Sequence, residues 1–204
     1  ITPYIKGVSP EPPERKEEVD KPIAKGINVT EKELIGRSNE LWARTEETGR
    51  EHLLLFNDKV VSATGTGRKV KVPVPKHDYM TLHTHPSPTK KNLVLSKDSN
   101  FSGGDLHSFL KRQPIGYGEQ PAMSVRTKNK VFILKKTDRT WGASTTRNEW
   151  YDEIDNKVLN RSIVYTREHP SKKGLGEFIQ KTHTEIVKDA AKRHNLIYKE
   201  INVK

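Results

Sequence analysis

Hydrophobic and polar positions divide the first half of the chain into one helix and several short strands. A helix is expected to begin at Thr30, because Thr30 and Glu33 match a capping box and apolar residues then recur at helical spacing. Residues 51–56 and 59–63 are short apolar runs around an Asn-Asp turn, which predicts a β-hairpin. Residues 70–74 alternate as a third strand, and their two prolines predict that it lies at a sheet edge.

The rest of the chain continues with both kinds of element. Helices are predicted at 102–112, 148–159 and 174–194, and strands at 79–85, 123–127, 130–135, 162–166 and 196–203. The helix at 174–194 has the clearest signal, because its apolar residues form one stripe. By contrast, residues 1–28 combine prolines with charged residues and few large apolar ones, which predicts an extended arm or linker. A short strand or a partner-bound segment is the alternative.

Composition and charge narrow the range of functions. The 204-residue chain has no cysteine, so any zinc site must use histidine and carboxylate ligands. Its net charge is +11, and residues 29–146 contain twenty basic and twelve acidic groups. An anionic partner, either nucleic acid or an acidic protein, is one explanation of this excess. A soluble basic surface is the other.

Apolar runs in the chain are short. None approaches the roughly 20 residues of a membrane span, and no signal-peptide pattern is present. A cytoplasmic location without a membrane partner is therefore expected. The first residue is Ile1 rather than Met, which is compatible with a fragment of a larger protein.

Two histidines give the chain its clearest chemical signal. His83 and His85 lie two apart in an alternating run, so both imidazoles should project from one face of a strand. Pro86 should end that strand, and the sequence from Ser102 to Asp105 opens a predicted helix. Two imidazoles and one carboxylate, with a fourth position left for water, are the composition of a catalytic zinc site.

A zinc hydrolase also needs a general base. Glu51 opens the first strand of the predicted hairpin and is our candidate for that role. Glu46 and Glu47 are alternatives. The hydroxyl of Ser102 is a candidate donor to a substrate carbonyl oxygen on which negative charge develops.

Together these residues resemble the JAMM (MPN+) motif of zinc metalloproteases. That motif is a glutamate, then His-x-His-Pro, then Ser-x-x-Asp. Here it stands as Glu51, His83-Thr84-His85-Pro86 and Ser102-Gly103-Gly104-Asp105. The sequence around Glu51 is similar to the first core strand of prokaryotic members, and the resemblance covers roughly residues 45–136.

The resemblance implies a fold and a ligand set. The fold would be of the α/β (α+β) class, with a mixed, largely antiparallel sheet flanked by helices, as in JAMM proteins and cytidine deaminases. Residues 29–146 would form this core, and residues 147–204 would form a helical C-terminal extension packed on it. Zn²⁺ would be held by His83, His85 and Asp105.

The implied activity is that of a hydrolase. A JAMM-type metallopeptidase or isopeptidase cleaves an amide bond with metal-activated water, and its substrates are peptides or proteins, often with a ubiquitin-like extended tail. Two alternatives remain open at this point. One is a non-catalytic JAMM-like scaffold, and the other is a nucleic-acid-associated module. Either is compatible with a chain that is part of a larger phage or mobile-element protein.

Two further expectations concern the surroundings of the motif. The spacer between Pro86 and Ser102 is fifteen residues, longer than is usual for the family, and it is expected to form a mobile loop at the rim of the site. His52, His107 and His183 are expected to be structural, with His183 at the edge of the core.

Overall fold

One six-stranded sheet with helices on both faces forms the body of the protein. The computed structural model describes residues 20–57, 60–65, 73–86, 100–111, 113–140, 146–171 and 173–203. The strands are β1 (Pro22–Ala24), β2 (Ile27–Thr30), β3 (His52–Phe56), β4 (Val60–Thr64), β5 (Met80–Thr84), β6 (Ala122–Arg126), β7 (Lys130–Lys135) and β8 (Ile197–Asn202). The helices are α1 (Glu31–Thr48), α2 (Gly103–Leu110), α3 (Arg147–Tyr151), a π-helical segment (Asp152–Asn156), α4 (Lys157–Glu168) and α5 (Leu175–Arg193).

The order of strands in the main sheet is β4-β3-β5-β6-β7-β8. Strands β5 and β6 run parallel, and the other neighbours in this sheet are antiparallel. A parallel pair needs a crossover connection, and α2 lies within the one that joins β5 to β6. The predicted mixed, largely antiparallel sheet flanked by helices is therefore confirmed.

Helix α1 covers one face of this sheet. It begins at the predicted residue, because the Thr30 hydroxyl accepts the Glu33 backbone N–H at 3.2 Å. Gly49 ends it in the left-handed conformation, with φ at 65°. The apolar side of α1 packs with β1, β2 and the sheet in one buried cluster: Ile23, Ile27, Val29, Leu34, Leu41, Leu54, Phe56, Met80, Leu82, Ala122, Val131 and Ile133.

The other four α-helices and the π-helical segment cover the opposite face. Their buried residues and those of the sheet form the larger core cluster: Phe101, Leu106, Phe109, Leu110, Met123, Val125, Phe132, Leu134, Trp150, Ile154, Val158, Ile179, Ile186, Val187, Ala190, Ala191 and Leu196. Each fully buried large apolar side chain contributes about 1.5–3 kcal/mol. The helices after residue 146 are thus held to the sheet by a continuous apolar interface.

Part of the predicted arm of residues 1–28 forms a β-hairpin. Residues 22–24 and 27–30 pair as an antiparallel hairpin, with Gly26 at a φ of 82° in the turn. Ile23 and Ile27 are buried against α1 and the sheet, and this burial offsets the entropy of ordering the segment. Residues 1–19 lie outside the described ranges.

The predicted strand at 162–166 is wrong, because these residues continue a helix to Glu168. Trp150, Ile154, Val158 and Ser162 are all buried and recur every four residues along the helices. This helical period outweighs the β-propensity of Ile163 and its neighbours. The predicted helix at 148–159 is therefore the first part of a longer helical stretch.

Strand β8 gives the C-terminal region a second role besides its helices. It pairs antiparallel with β7 along its whole length, from Ile197 opposite Lys135 to Asn202 opposite Lys130. The predicted strand at 196–203 is therefore confirmed, and residues 147–204 complete the sheet as well as cover it with helices. Within the described ranges, no helix is both long and apolar enough to cross a membrane.

Two predicted segments fall wholly or partly outside the described ranges. Of the expected third strand at 70–74, only residues 73 and 74 are described, and they are not in a strand. Of the expected loop at 87–101, only Asn100 and Phe101 are described, and both are buried.

Candidate metal centre

Glu51 and the two histidines meet because β3 and β5 pair side by side. Leu53 lies opposite His83 in this antiparallel register, and continuing the register by two residues brings Glu51 opposite His85. The backbone N–H of His85 donates to the Arg126 carbonyl at 2.9 Å. His85 therefore stays aligned with the sheet, although β5 ends one residue before it.

Helix α2 brings the second half of the site. Ser102 is its N-cap, and its hydroxyl oxygen accepts the Asp105 N–H at 3.2 Å. The Asp105 carboxylate reaches back and accepts the Ser102 backbone N–H through Oδ2 at 2.8 Å. This capping box fixes Asp105 in the first helical turn, on the side that faces the histidines.

The donor atoms of four side chains converge. The Nε2 atoms of His83 and His85 are 3.2 Å apart. Asp105 faces both of them, with Oδ1 at 3.2 Å from His83 and Oδ2 at 3.5 Å from His85. Oε1 of Glu51 lies 3.7 Å from the Nε2 atom of His85.

The electrostatics of the site favour a charged carboxylate. Burial by itself would raise the pKa of Asp105, but the charges of His83 and His85 and their hydrogen bonds outweigh it. Together they hold the pKa of this carboxyl well below its usual value. Asp105 is therefore ionised at neutral pH, which is the form that binds metal.

The donor set fits a metal ion. Glu51, His83 and His85 each offer one ligand atom, and these atoms lie within 4.8 Å of one another. Asp105 offers a second carboxylate to the same two imidazoles. Two imidazole nitrogens with one carboxylate oxygen are the protein ligands of many catalytic zinc sites, and either carboxylate can complete that set.

The cluster is partly exposed to solvent. Glu51 and His83 are only 8% and 7% exposed, whereas His85, Ser102 and Asp105 are partly exposed. Solvent therefore reaches His85 and the start of α2. The Ser102 hydroxyl donates to Oδ2 of Asp105 at 2.8 Å.

The structure brings together all five residues predicted for the site. The rival bases Glu46 and Glu47 are exposed residues of α1, whereas Glu51 faces the histidines. The division of roles, with Asp105 as ligand and Glu51 as base, stays a prediction, because both carboxylates lie near His85.

A polar network lies behind the site, on the α1 face of the sheet. The Thr84 hydroxyl accepts hydrogen bonds from the His52 backbone N–H at 2.9 Å and the Thr45 hydroxyl at 2.7 Å. The His52 ring lies 2.8 Å from the Thr48 hydroxyl. His52 therefore faces away from Glu51, as alternation along the strand predicts. The network ties α1 to β3, which follows Glu51, and to β5, which presents the histidines.

A close contact between the backbones of Gly103 and Trp150 supports the start of α2. A Cβ atom on Gly103 would lie 2.4 Å from the Trp150 carbonyl oxygen, far inside contact distance. Gly104 has room, since its nearest neighbour would be the Tyr151 hydroxyl at 3.4 Å. Of the two glycines, Gly103 is therefore the one that the fold requires.

Two residues of the C-terminal region reach the site and were not predicted to do so. Asp155 accepts the Gly103 N–H at 2.8 Å, and His183 lies with Nε2 at 3.0 Å from the Phe101 carbonyl oxygen. Burial and then the charge of Asp105 raise the pKa of Asp155, against the Gly103 N–H, which lowers it. The only sequence signal for His183 was its place on the buried side of α5. For Asp155 there was none.

Comparisons with known proteins identify no relative. No family model, curated protein or solved structure matches this chain.

Proposed function

We propose that the protein is a zinc-dependent peptidase or isopeptidase that hydrolyses an amide bond with metal-activated water. The observation that carries the proposal is the convergence of Glu51, His83, His85 and Asp105, with their nitrogen and oxygen atoms 3.2–3.7 Å apart. His83, His85 and Asp105 would hold the metal. A zinc ion bound there would polarise a substrate carbonyl and lower the pKa of a bound water to about 7.

Glu51 is suited to move the proton. Its carboxylate is buried at the edge of the cluster and faces the more exposed of the two histidines. It would accept a proton from the metal-activated water and deliver that proton to the leaving amine. A peptide or protein substrate would approach the partly exposed side chains of His85 and Asp105.

We assign to Ser102 the stabilisation of negative charge on the substrate. Its hydroxyl donates to Asp105 in this structure, so a carbonyl oxygen would compete with Asp105 for that donor. A hydrogen bond that strengthens as the oxyanion forms lowers the barrier selectively.

The decisive experiment separates the base from the ligands. In our proposal Glu51→Gln retains zinc and loses about 10²–10⁴-fold in turnover, because the amide cannot accept a proton. Asp105→Asn should instead lose zinc. Zinc content is measured by elemental analysis, and turnover is measured on a panel of peptides and ubiquitin-like fusions.

Two results would count against these roles. Loss of zinc in Glu51→Gln with full retention in Asp105→Asn would exchange the roles of the two carboxylates. A full zinc complement in the His83→Ala, His85→Ala double variant would remove the site altogether.

A further inference from the structure

We propose that Asp155, His183 and Tyr198 are positioning residues of this site, which hold the turn of residues 100–103 so that Ser102 and Asp105 face the two histidines. These three residues belong to the π-helical segment, α5 and β8. The significance for catalysis rests on the proposed function, but the geometric part does not.

His183 fixes the residue before Ser102. Its Nε2 atom lies 3.0 Å from the Phe101 carbonyl oxygen, and a carbonyl oxygen can only accept, so Nε2 carries the hydrogen. The side chain is buried, and this desolvation lowers the pKa of His183 to about 4. At neutral pH the ring is therefore a neutral donor with a single fixed partner in the turn.

Asp155 fixes the residue after Ser102. Its Oδ2 atom accepts the Gly103 N–H at 2.8 Å, one of the N–H groups at the start of α2 that the helix itself cannot satisfy. The Gly103 backbone also packs directly against the Trp150 carbonyl. The hydrogen bond and this contact together leave Gly103 little freedom to shift.

Tyr198 fixes the beginning of the turn. Its hydroxyl accepts from Asn100 Nδ2 at 2.7 Å and donates to Glu200 at 3.3 Å. Asn100 in turn accepts the Phe101 N–H through Oδ1 at 2.8 Å. The Asn100 side chain thus links Tyr198 of β8 to the backbone of the turn by two hydrogen bonds.

The geometry of the turn sets the geometry of the site. The backbone N–H and the hydroxyl of Ser102 both bond to Oδ2 of Asp105 at 2.8 Å. A rotation of the turn would therefore carry the Asp105 carboxylate away from His83 and His85. Three anchors on Asn100, Phe101 and Gly103 oppose such a rotation on both sides of Ser102.

Hydrogen exchange of the metal-free protein tests the anchors directly. The variants are His183→Ala, Asp155→Ala and Tyr198→Phe, and the readouts are the Ser102 and Asp105 amides, since neither donates to a mutated side chain. Loss of one buried hydrogen bond should speed exchange of these two amides about tenfold or more. His183→Gln and Asp155→Asn keep a donor and an acceptor, respectively, and should restore most of the protection.

Two controls separate positioning from general loss of stability. Ser162→Ala removes a buried hydrogen bond that stays inside α4 and should leave both amides protected. Co²⁺ alone serves as a spectroscopic probe, because its visible absorption reports the ligand geometry. The Ala variants should alter the Co²⁺ spectrum or weaken Co²⁺ binding at least tenfold, and the Gln and Asn variants should resemble the wild type.

The proposal is overturned if folded His183→Ala and Asp155→Ala keep wild-type exchange at Ser102 and Asp105 together with the wild-type Co²⁺ spectrum. It is also overturned if the Gln and Asn variants exchange as fast as the Ala variants, since the hydrogen bonds would then not matter. Should an Ala variant fail to fold, Tyr198→Phe decides the question, because it removes a single oxygen atom. A wild-type protein without turnover would contradict the proposed function but leave the exchange result intact.

Discussion

The Nε2 atoms of His83 and His85 lie 3.2 Å apart, and each also lies within 3.5 Å of an oxygen of Asp105. The two nitrogens and the carboxylate therefore share one small volume that a cation can occupy. A metal ion there would replace a crowded set of polar atoms by direct ligand bonds, so metal binding and stability should be coupled.

Zinc should raise the melting temperature of the protein. At free zinc one hundred times the dissociation constant, the folded state gains about 2.7 kcal/mol, which corresponds to a shift of roughly 5–10 °C for a chain of this size. The shift should vanish in His83→Ala and persist in His107→Ala, a matched histidine of α2 outside the cluster. Scanning calorimetry with and without zinc makes the comparison, and an equal shift in His83→Ala would contradict it.

The two adjacent glycines of α2 should respond differently to alanine. Gly103→Ala forces a methyl group against the Trp150 carbonyl and should cost about 1–3 kcal/mol or prevent folding. Gly104→Ala meets its nearest neighbour at an ordinary 3.4 Å and should be neutral or slightly stabilising, since alanine is the better helix former. Urea denaturation of both variants measures the difference, and equal effects would show that the Trp150 contact is unimportant.

Burial of His183 should make stability depend on pH. The pKa of this histidine is about 4 in the folded protein and 6.5 in the unfolded chain. Below pH 6.5 the unfolded state therefore binds a proton that the folded state does not. The free energy of unfolding should fall between pH 6.5 and about 4, by at most about 1.4 kcal/mol per pH unit, and this contribution should then level off.

His183→Gln isolates the contribution of this one residue, because glutamine cannot titrate. Urea denaturation of the metal-free wild type and variant between pH 4 and 8 should give curves that converge as the pH falls. Parallel curves would mean that His183 takes up its proton equally in both states.

The polar network behind the site should contribute to stability. Thr84→Val leaves the His52 backbone N–H without its hydroxyl acceptor, which should cost about 1–3 kcal/mol. The Thr45 hydroxyl keeps the Leu41 carbonyl as an acceptor. Thr166→Val is the control, because the Thr166 hydroxyl bonds to the Ser162 carbonyl within α4. Denaturation midpoints provide the measurement, and a Thr84→Val variant as stable as Thr166→Val would contradict the prediction.

The fold could be predicted wherever the signal is local. Thr30 and Ser102 cap their helices as predicted, because a cap depends on residues three positions apart. Residues 162–166 were mispredicted for the opposite reason: their β-branched side chains favour a strand, but the buried period from Trp150 to Ser162 makes them helical. Burial against the rest of the protein decides that these residues are helical, and the sequence of residues 162–166 alone contains little sign of it.

In the site, too, local features could be predicted and long-range contacts could not. Spacing alone places His83 and His85 on one strand and Asp105 in the first turn of a helix. The anchors of the 100–103 turn could not be found in this way, because Asp155, His183 and Tyr198 are separated from their partners by 52, 82 and 98 residues. No pattern short enough to recognise connects residues so far apart.

These separations also bear on the timing of assembly during synthesis. The ribosome completes Glu51, His83, His85 and Asp105 well before it reaches Asp155, and the contacts of greatest sequence separation are the slowest to form. A nascent chain halted at residue 140 would carry every residue of the metal cluster, yet none of the three anchors. In our proposal, the native geometry of the metal cluster would therefore be reached only after Asp155, His183 and Tyr198 had been translated and packed against the 100–103 turn.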